Sequence, residues 1–227
     1  MKDIEKLKTA LKSFIENDDI ISLICIILEY DSSQNPNKGE FNFRELEKIL
    51  YGNSKEKIKD ALSLASHWRL ILPSWRKGIR SLCWGDRKKI LTKPTTRYEV
   101  LRVVEYLVDN ALQTGVWDPE EGIRGVFNAI TDIDSELSLK VIRRIADTVE
   151  KDYREEAKGD FPYYFIQINQ LKKIFDEFGL TERKKADLWV VEMKATDVMS
   201  PEVNITFDLG NNEFGFELNP SLLYFLK

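Results

Sequence analysis

The chain is poor in the side chains that most enzymes use for chemistry. Among its 227 residues there is one histidine, His67, and there are two cysteines, Cys25 and Cys83. A histidine-based zinc site or a Ser-His-Asp triad would have to depend on His67 alone. The glycine loop that cradles phosphates, the dinucleotide glycine fingerprint and the Gly-x-Ser-x-Gly elbow are missing as well. So are long apolar runs: the longest, Ile20 to Leu28, is interrupted by Ser22 and is far too short to span a bilayer. The opening Met1-Lys2-Asp3-Ile4-Glu5 is charged, unlike a secretory leader. The cysteines lie far apart, and Cys25 sits among isoleucines and leucines, where a thiol behaves as a small hydrophobe. Together these absences predict a cytoplasmic protein with no membrane segment, no cofactor, no metal and no catalytic role.

What is present is ample core material and an uneven charge. Hydrophobic residues make up 43% and charged residues 32%, enough for a packed interior and a solvated surface in two small domains. The net charge of −4 hides a partition. From Ser54 to Arg97 there are 12 basic residues and 3 acids, a local +9 that leaves −13 for the rest of the chain. Local potential matters more to a phosphate than the total does.

Hydrophobic spacing organises the chain. Ile4, Leu7, Leu11, Phe14 and Ile15 mark an amphipathic opening helix, and Asn17 and Asp18 cap a second helix to Tyr30 that is apolar nearly all round. Asp31 to Gly39 reads as a loop. Phe41-Asn42-Phe43 reads as a very short strand, and Arg44 to Tyr51 as a helix ended by Gly52. Ser54 caps a further helix to about Trp68. Leu70-Ile71-Leu72 and Ile79 to Trp84 read as two strands around Arg76-Lys77-Gly78, with Pro73 tolerable only at an edge. Thr96 with Glu99 predicts a capping box for a helix to Thr114, stopped at Gly115. Asp118-Pro119 and Ser135 open two more helices.

The opening pattern then recurs. Phe161 to Ile168 reads as a strand, Asn169 as a cap, and Gln170 to Phe178 as a helix ended by Gly179. Phe41 to Leu50 and Ile166 to Phe175 share apolar residues at five places, and Lys48 matches Lys173. Thr181 caps a helix to about Thr196. Val203 to Phe207 and Glu213 to Leu218 alternate as strands around Gly210-Asn211-Asn212. Duplication of one unit is the better reading of this self-similarity.

The order of helix, short strand, helix, turn, helix and basic-tipped hairpin resembles the winged-helix branch of the helix-turn-helix superfamily. The resemblance covers Asp18 to Leu91 and again Ser135 to Leu226. It implies a mainly α fold with small β-hairpins (α+β). Two winged-helix-like units, 1–93 and 135–227, would be joined by a helical connector, 94–134. In this superfamily the third helix usually reads the major groove of duplex DNA and the hairpin meets the backbone, and homodimers are common.

Candidate contacts follow from that placement. Lys55, Lys59, Ser63, Ser66 and His67 share the polar face of the third helix at ~100° per residue. Arg76, Lys77, Arg80, Arg87, Lys88 and Lys89 lie on and after the hairpin, where they could meet phosphates. The competing reading of the segment is a solvated charged surface paired with acids elsewhere, and His67 fits either. Trp75 and Trp84 suit packing better than base stacking. The carboxylate groups at Asp18-Asp19, Asp118/Glu120/Glu121 and Asp132/Asp134 coincide with helix starts, where acids favour the dipole. The second unit has Arg183-Lys184-Lys185 on its third helix but Glu202, Asp208, Glu213 and Glu217 on its hairpin, which would repel DNA. The apolar tail Leu222 to Leu226 would close its core or, alternatively, lie in a partner's groove. The expectation is a transcriptional regulator that binds duplex DNA through the first unit, with the middle helices and the second unit forming a homodimer or engaging a protein partner. The alternative is an acidic tandem adaptor that binds proteins with both.

Overall fold

The computed structural model describes residues 3–36, 38–74, 84, 89–151, 164–200, 203–206 and 212–226. The fold is mainly helical with two small antiparallel sheets, the α+β class expected from the sequence. The chain divides into two compact units: Met1–Arg80 with Gly85–Gly122, and Ser81–Trp84 with Ile123–Lys227. The second cut falls inside one helix, between Gly122 and Ile123.

In the first unit, α1 (Ile4–Leu11) and α2 (Asp18–Ser33) come first. The Asn17 side chain accepts the Ile20 N–H, and Asp18 and Asp19 occupy the first turn, where negative charge suits the helix dipole. α2 is central because its apolar residues leave almost no polar face. Ile20, Ile21, Leu23, Ile24, Cys25, Ile27 and Leu28 are all buried, against α1 and the helices that follow. Burial pushes the Cys25 thiol up to about 12, so it stays protonated and apolar at neutral pH. Cys83 lies outside the described residues.

β1 (Glu40–Asn42), α3 (Phe43–Ile49), α4 (Lys55–His67), β2 (Ile71–Pro73), β3 (Arg97–Val100) and α5 (Arg102–Thr114) complete the frame. The sheet order is β1-β3-β2, antiparallel throughout, so the central strand comes last in sequence. β2 is an edge strand, the place where Pro73 is tolerated. Asn42 ends β1 and caps α3: its Oδ1 accepts the Glu45 N–H at 3.1 Å, and Glu45 Oε2 accepts the Asn42 N–H at 2.7 Å.

One expected element is replaced. The Thr96/Glu99 pair does not open a helix; Arg97–Val100 is a strand, and α5 starts only after Leu101. Tyr98 and Val100 are buried while Arg97 faces solvent, an alternation that suits pairing on both sides. Residues 94–134, expected as a connector, contain β3, α5 and α6 (Pro119–Ile130). β3 is the centre of the first sheet, and α5 packs on α1 and α2. The strand expected at Ile79 to Trp84 lies outside the described residues except for Trp84, which is buried, in keeping with packing.

The second unit repeats the frame. α7 (Ser135–Thr148) is capped by Asp134, whose carboxylate accepts the Leu137 N–H at 2.6 Å. β4 (Glu150–Lys151), β5 (Tyr164–Gln167), α8 (Ile168–Glu177), α9 (Arg183–Ala195), β6 (Val203–Thr206), β7 (Asn212–Leu218) and α10 (Pro220–Leu226) follow. The sheet order is β4-β5-β7-β6. Without the short β4, this is the first sheet over again, with the last strand between the other two. Gln167 stands where Asn42 stands: it ends the strand and caps the helix, and its N–H donates to Gln170 Oε1 at 3.1 Å. The cap is therefore Gln167 rather than the expected Asn169. Gly52 and Gly179 follow the paired helices α3 and α8, both with positive φ, +88° and +71°. Of the apolar tail, Leu222 and Leu223 of α10 are buried against the unit's core, where α10 meets α7, while Tyr224 is exposed and Phe225 and Leu226 are half-buried.

Two glycines separate space from backbone conformation. At Gly215, in the middle of β7, an added Cβ would overlap the Ile166 carbonyl oxygen and the Phe165 ring. At Gly52 nothing lies within 4 Å, and only the positive φ opposes a side chain. Gly215→Ala should cost about 3 kcal/mol or more, and Gly52→Ala about 1–2 kcal/mol. Urea unfolding checks both, and equal costs would contradict the packing of β7 against β5.

Candidate nucleic-acid interface

The described half of the expected interface is α4 and its surroundings. Ser54 Oγ accepts the Lys57 N–H at 3.2 Å and starts the helix. Ile58, Ala61, Leu62 and Ala65 are buried, which fixes the rotation of α4 and turns Lys55, Lys59 and Ser63 outward along one stripe. Lys55 and Lys59 are exposed; Ser63 is half-buried and donates to the Lys59 carbonyl at 2.8 Å. Glu56 and Asp60 are exposed on the same helix, so the stripe is cationic only along its own line.

The other expected contacts divide. Ser66 is 3% exposed, and its Oγ has no hydrogen-bond partner among the described residues, so it does not share the open stripe. His67 is half-buried at the last position of α4, and its carbonyl accepts from Arg69. Lys89 is exposed. Arg76, Lys77, Arg80, Arg87 and Lys88 lie outside the described residues.

Among the described residues, three cations of the basic segment have partners in the fold. Lys55 Nζ is 3.1 Å from Glu47 Oε1 on α3, a pair that is open to solvent on the lysine side. Arg97 Nη1 is 3.6 Å from Glu40 Oε2 across β3 and β1. Arg69 is buried at a positive φ of 55°, and its guanidinium donates to the Ser66 and His67 carbonyls. It closes the C-terminal end of α4, where positive charge offsets unpaired carbonyls. Arg69 is thus a helix stop, not part of a cationic surface.

Spacing alone passed over two residues. Tyr51, at the turn between α3 and α4, is 92% exposed, an aromatic ring held out into solvent at the head of the stripe. Its signal in the sequence was its position directly before Gly52. Glu47 was hidden by distance: it faces Lys55 only because the turn at Gly52 folds α3 back towards α4.

α9 holds the same place in the second unit and carries different chemistry. Counted from their caps, Arg183, Asp187 and Val191 stand where Lys55, Lys59 and Ser63 stand in α4. Arg183 is 3.8 Å from Asp187, and Lys185 is 3.1 Å from Glu182, so the expected basic start is partly neutralised within the helix. Leu188 and Val191 are about half exposed, at 50% and 53%.

Among the described residues, no group of three or more His, Cys, Asp or Glu side chains is placed to hold a metal ion. No helix there is long and apolar enough to cross a membrane.

Residues 7–227 match the model of a protein family of unknown function. The chain belongs to that family. No curated protein matches the chain, and no solved structure does.

The isolation of Ser66 generates a test. A buried hydroxyl without a partner gives up little when removed, and alanine favours the helix. Ser66→Ala should leave stability unchanged or raise it by up to about 1 kcal/mol. A loss above that in urea unfolding would show that the hydroxyl is satisfied.

Proposed function

We propose that this chain is a duplex-DNA-binding regulator built from two winged-helix-like units, with the first unit as the reader. The observation that carries the reading is the open Lys55–Lys59–Ser63 stripe on α4. It lies on the third helix of a frame whose sheet has the order β1-β3-β2. On this reading α4 enters the major groove, Lys55 and Lys59 meet phosphates or base edges, and Tyr51 lies along the backbone. The connection from β2 to β3 carries Arg76, Lys77, Arg80, Arg87, Lys88, Lys89 and Lys93 in sequence. It is the counterpart of the wing and supplies most of the phosphate contacts.

The second unit supports a different partner. Its equivalent stripe contains Asp187 and Val191, and Leu188 adds apolar surface beside them. A helix so faced suits a protein better than a polyanion, so this unit holds a protein partner or a second copy of the chain. If both units do this, the protein is an adaptor, and DNA binding is absent.

Salt dependence separates the two readings. Fluorescence anisotropy with a random-sequence duplex should show affinity falling with salt at a log–log slope of about −0.9 per phosphate neutralised. Lys59→Glu, and separately the triple reversal of Arg76, Lys77 and Arg80 to glutamate, should weaken binding. Each lost phosphate contact should make the slope shallower by about 1. Lys184→Glu on α9 should leave affinity unchanged. Absence of binding at low salt, or equal binding by all variants, would leave the adaptor.

A further inference from the structure

The connection between α2 and β1 folds onto α5 around a cluster of three carboxylates and one ammonium group. Asp31, near the end of α2, is 3% exposed, and its Oδ1 accepts the Asn35 side-chain amide at 2.6 Å and the Gly39 N–H at 2.9 Å. Glu105 and Asp109 reach in from α5, one turn apart. Lys38 Nζ lies 3.7 Å from Glu105 Oε2 and 3.4 Å from Asp109 Oδ2. Ser32 Oγ donates to Asp109 Oδ1, tying α2 to α5 directly. Gly39 closes the cluster with a φ of +85°, which favours glycine, and its Cα side lies against the Glu105 carboxylate. The Gly39 carbonyl then accepts the Val100 N–H at 2.9 Å, fixing the end of β3.

Charge does not balance in this cluster. With all groups ionised, Lys38 faces Asp31, Glu105 and Asp109 together, and Arg102 also acts on Glu105. Along the rest of α5, Lys6 of α1 is committed to the Gln113 carbonyl at 2.8 Å. A carboxylate pressed against main chain, beside two others, favours its neutral form.

We propose that this cluster is a proton-operated clasp, in which neutral Glu105 lets the α2–β1 connection close on α5 and ionised Glu105 loosens it. Burial first, then the nearby Asp31 and Asp109, pushes Glu105 up to about 7 against the pull of Lys38 and Arg102. Burial also raises Asp31, against the hydrogen bonds it accepts from Asn35 and Gly39. Burial acts to lower Lys38, but Asp109 and Glu105 overcome it and keep it charged. The sign follows from linkage. The Glu105 pKa is raised on folding, so its contribution is complete below the unfolded value near 4.5 and is lost as pH rises through about 7.

The test is amide hydrogen exchange on the full chain from pH 5.5 to 8.5, expressed as protection factors for Gly39 and Val100. In the wild type, protection should fall by about tenfold across pH 7, and urea stability should fall with it. Between pH 5.5 and 6.5 the wild type should release about one more proton on unfolding than Glu105→Gln. In Glu105→Gln, protection at these two amides should be flat with pH. Lys38→Met removes the cation and should move the wild-type midpoint upward, which keeps the test decisive should Glu105→Gln fold poorly. The clasp is overturned if Glu105→Gln keeps the wild-type pH dependence, if Lys38→Met leaves the midpoint in place, or if NMR titration puts the Glu105 carboxyl below 5.

Discussion

Each unit is organised by a strand that arrives late and has to fit between two that came earlier. β3 pairs with β1 on one side and β2 on the other, and β7 does the same between β5 and β6. Until that strand is in place its neighbours are short edges with nothing to satisfy their inner main-chain groups. Its arrival fixes the rest. Residues 75–96, basic in sequence, connect the second strand to the third. Ser74 marks the departure with an N–H donated to the Arg97 carbonyl at 2.9 Å.

The same strand shows where local sequence signals end. Thr96 and Glu99 have the spacing of a capping box, and Arg97-Tyr98-Glu99-Val100 has the alternation of a strand; both signals are genuine. Pairing decides between them, because Tyr98 stacks on Phe41 across the sheet at a centroid distance of 6.3 Å, and the partner lies 57 positions back by residue number. Nothing within a short window contains that partner. Signals that act within a turn of helix were legible: Asn17, Ser54 and Asp118 sit at helix starts, and Gly52, Gly115 and Gly179 beyond helix ends. So was the burial of α2, since a helix apolar all round has no face to leave outside.

The expected contact residues diverge in burial for a related reason. Counting charges treats every lysine and arginine as surface. Arg69 shows how that fails, because a guanidinium next to a helix end serves the carbonyls it can reach and is then buried with them. Ser66 shows the same failure for a helical wheel. The wheel places it with Ser63, yet one further turn along α4 the helix surface is covered. Lys55 and Lys59 are exposed because the first half of α4 is packed on one side only, and Lys55 meets Glu47.

The two units then differ in what the shared frame displays, not in the frame. Packing fixes the inward positions of the third helix, Ile58, Ala61, Leu62 and Ala65 in one unit and Trp189 and Met193 in the other. The outward stripe carries no such constraint and diverges freely, to Lys-Lys-Ser in α4 and Arg-Asp-Val in α9. A stripe change of that kind costs little stability, since exposed pairs such as Arg183 with Asp187 are worth well under about 1 kcal/mol. Three outward positions therefore differ in charge and polarity between α4 and α9 while the inward positions keep the same packing role.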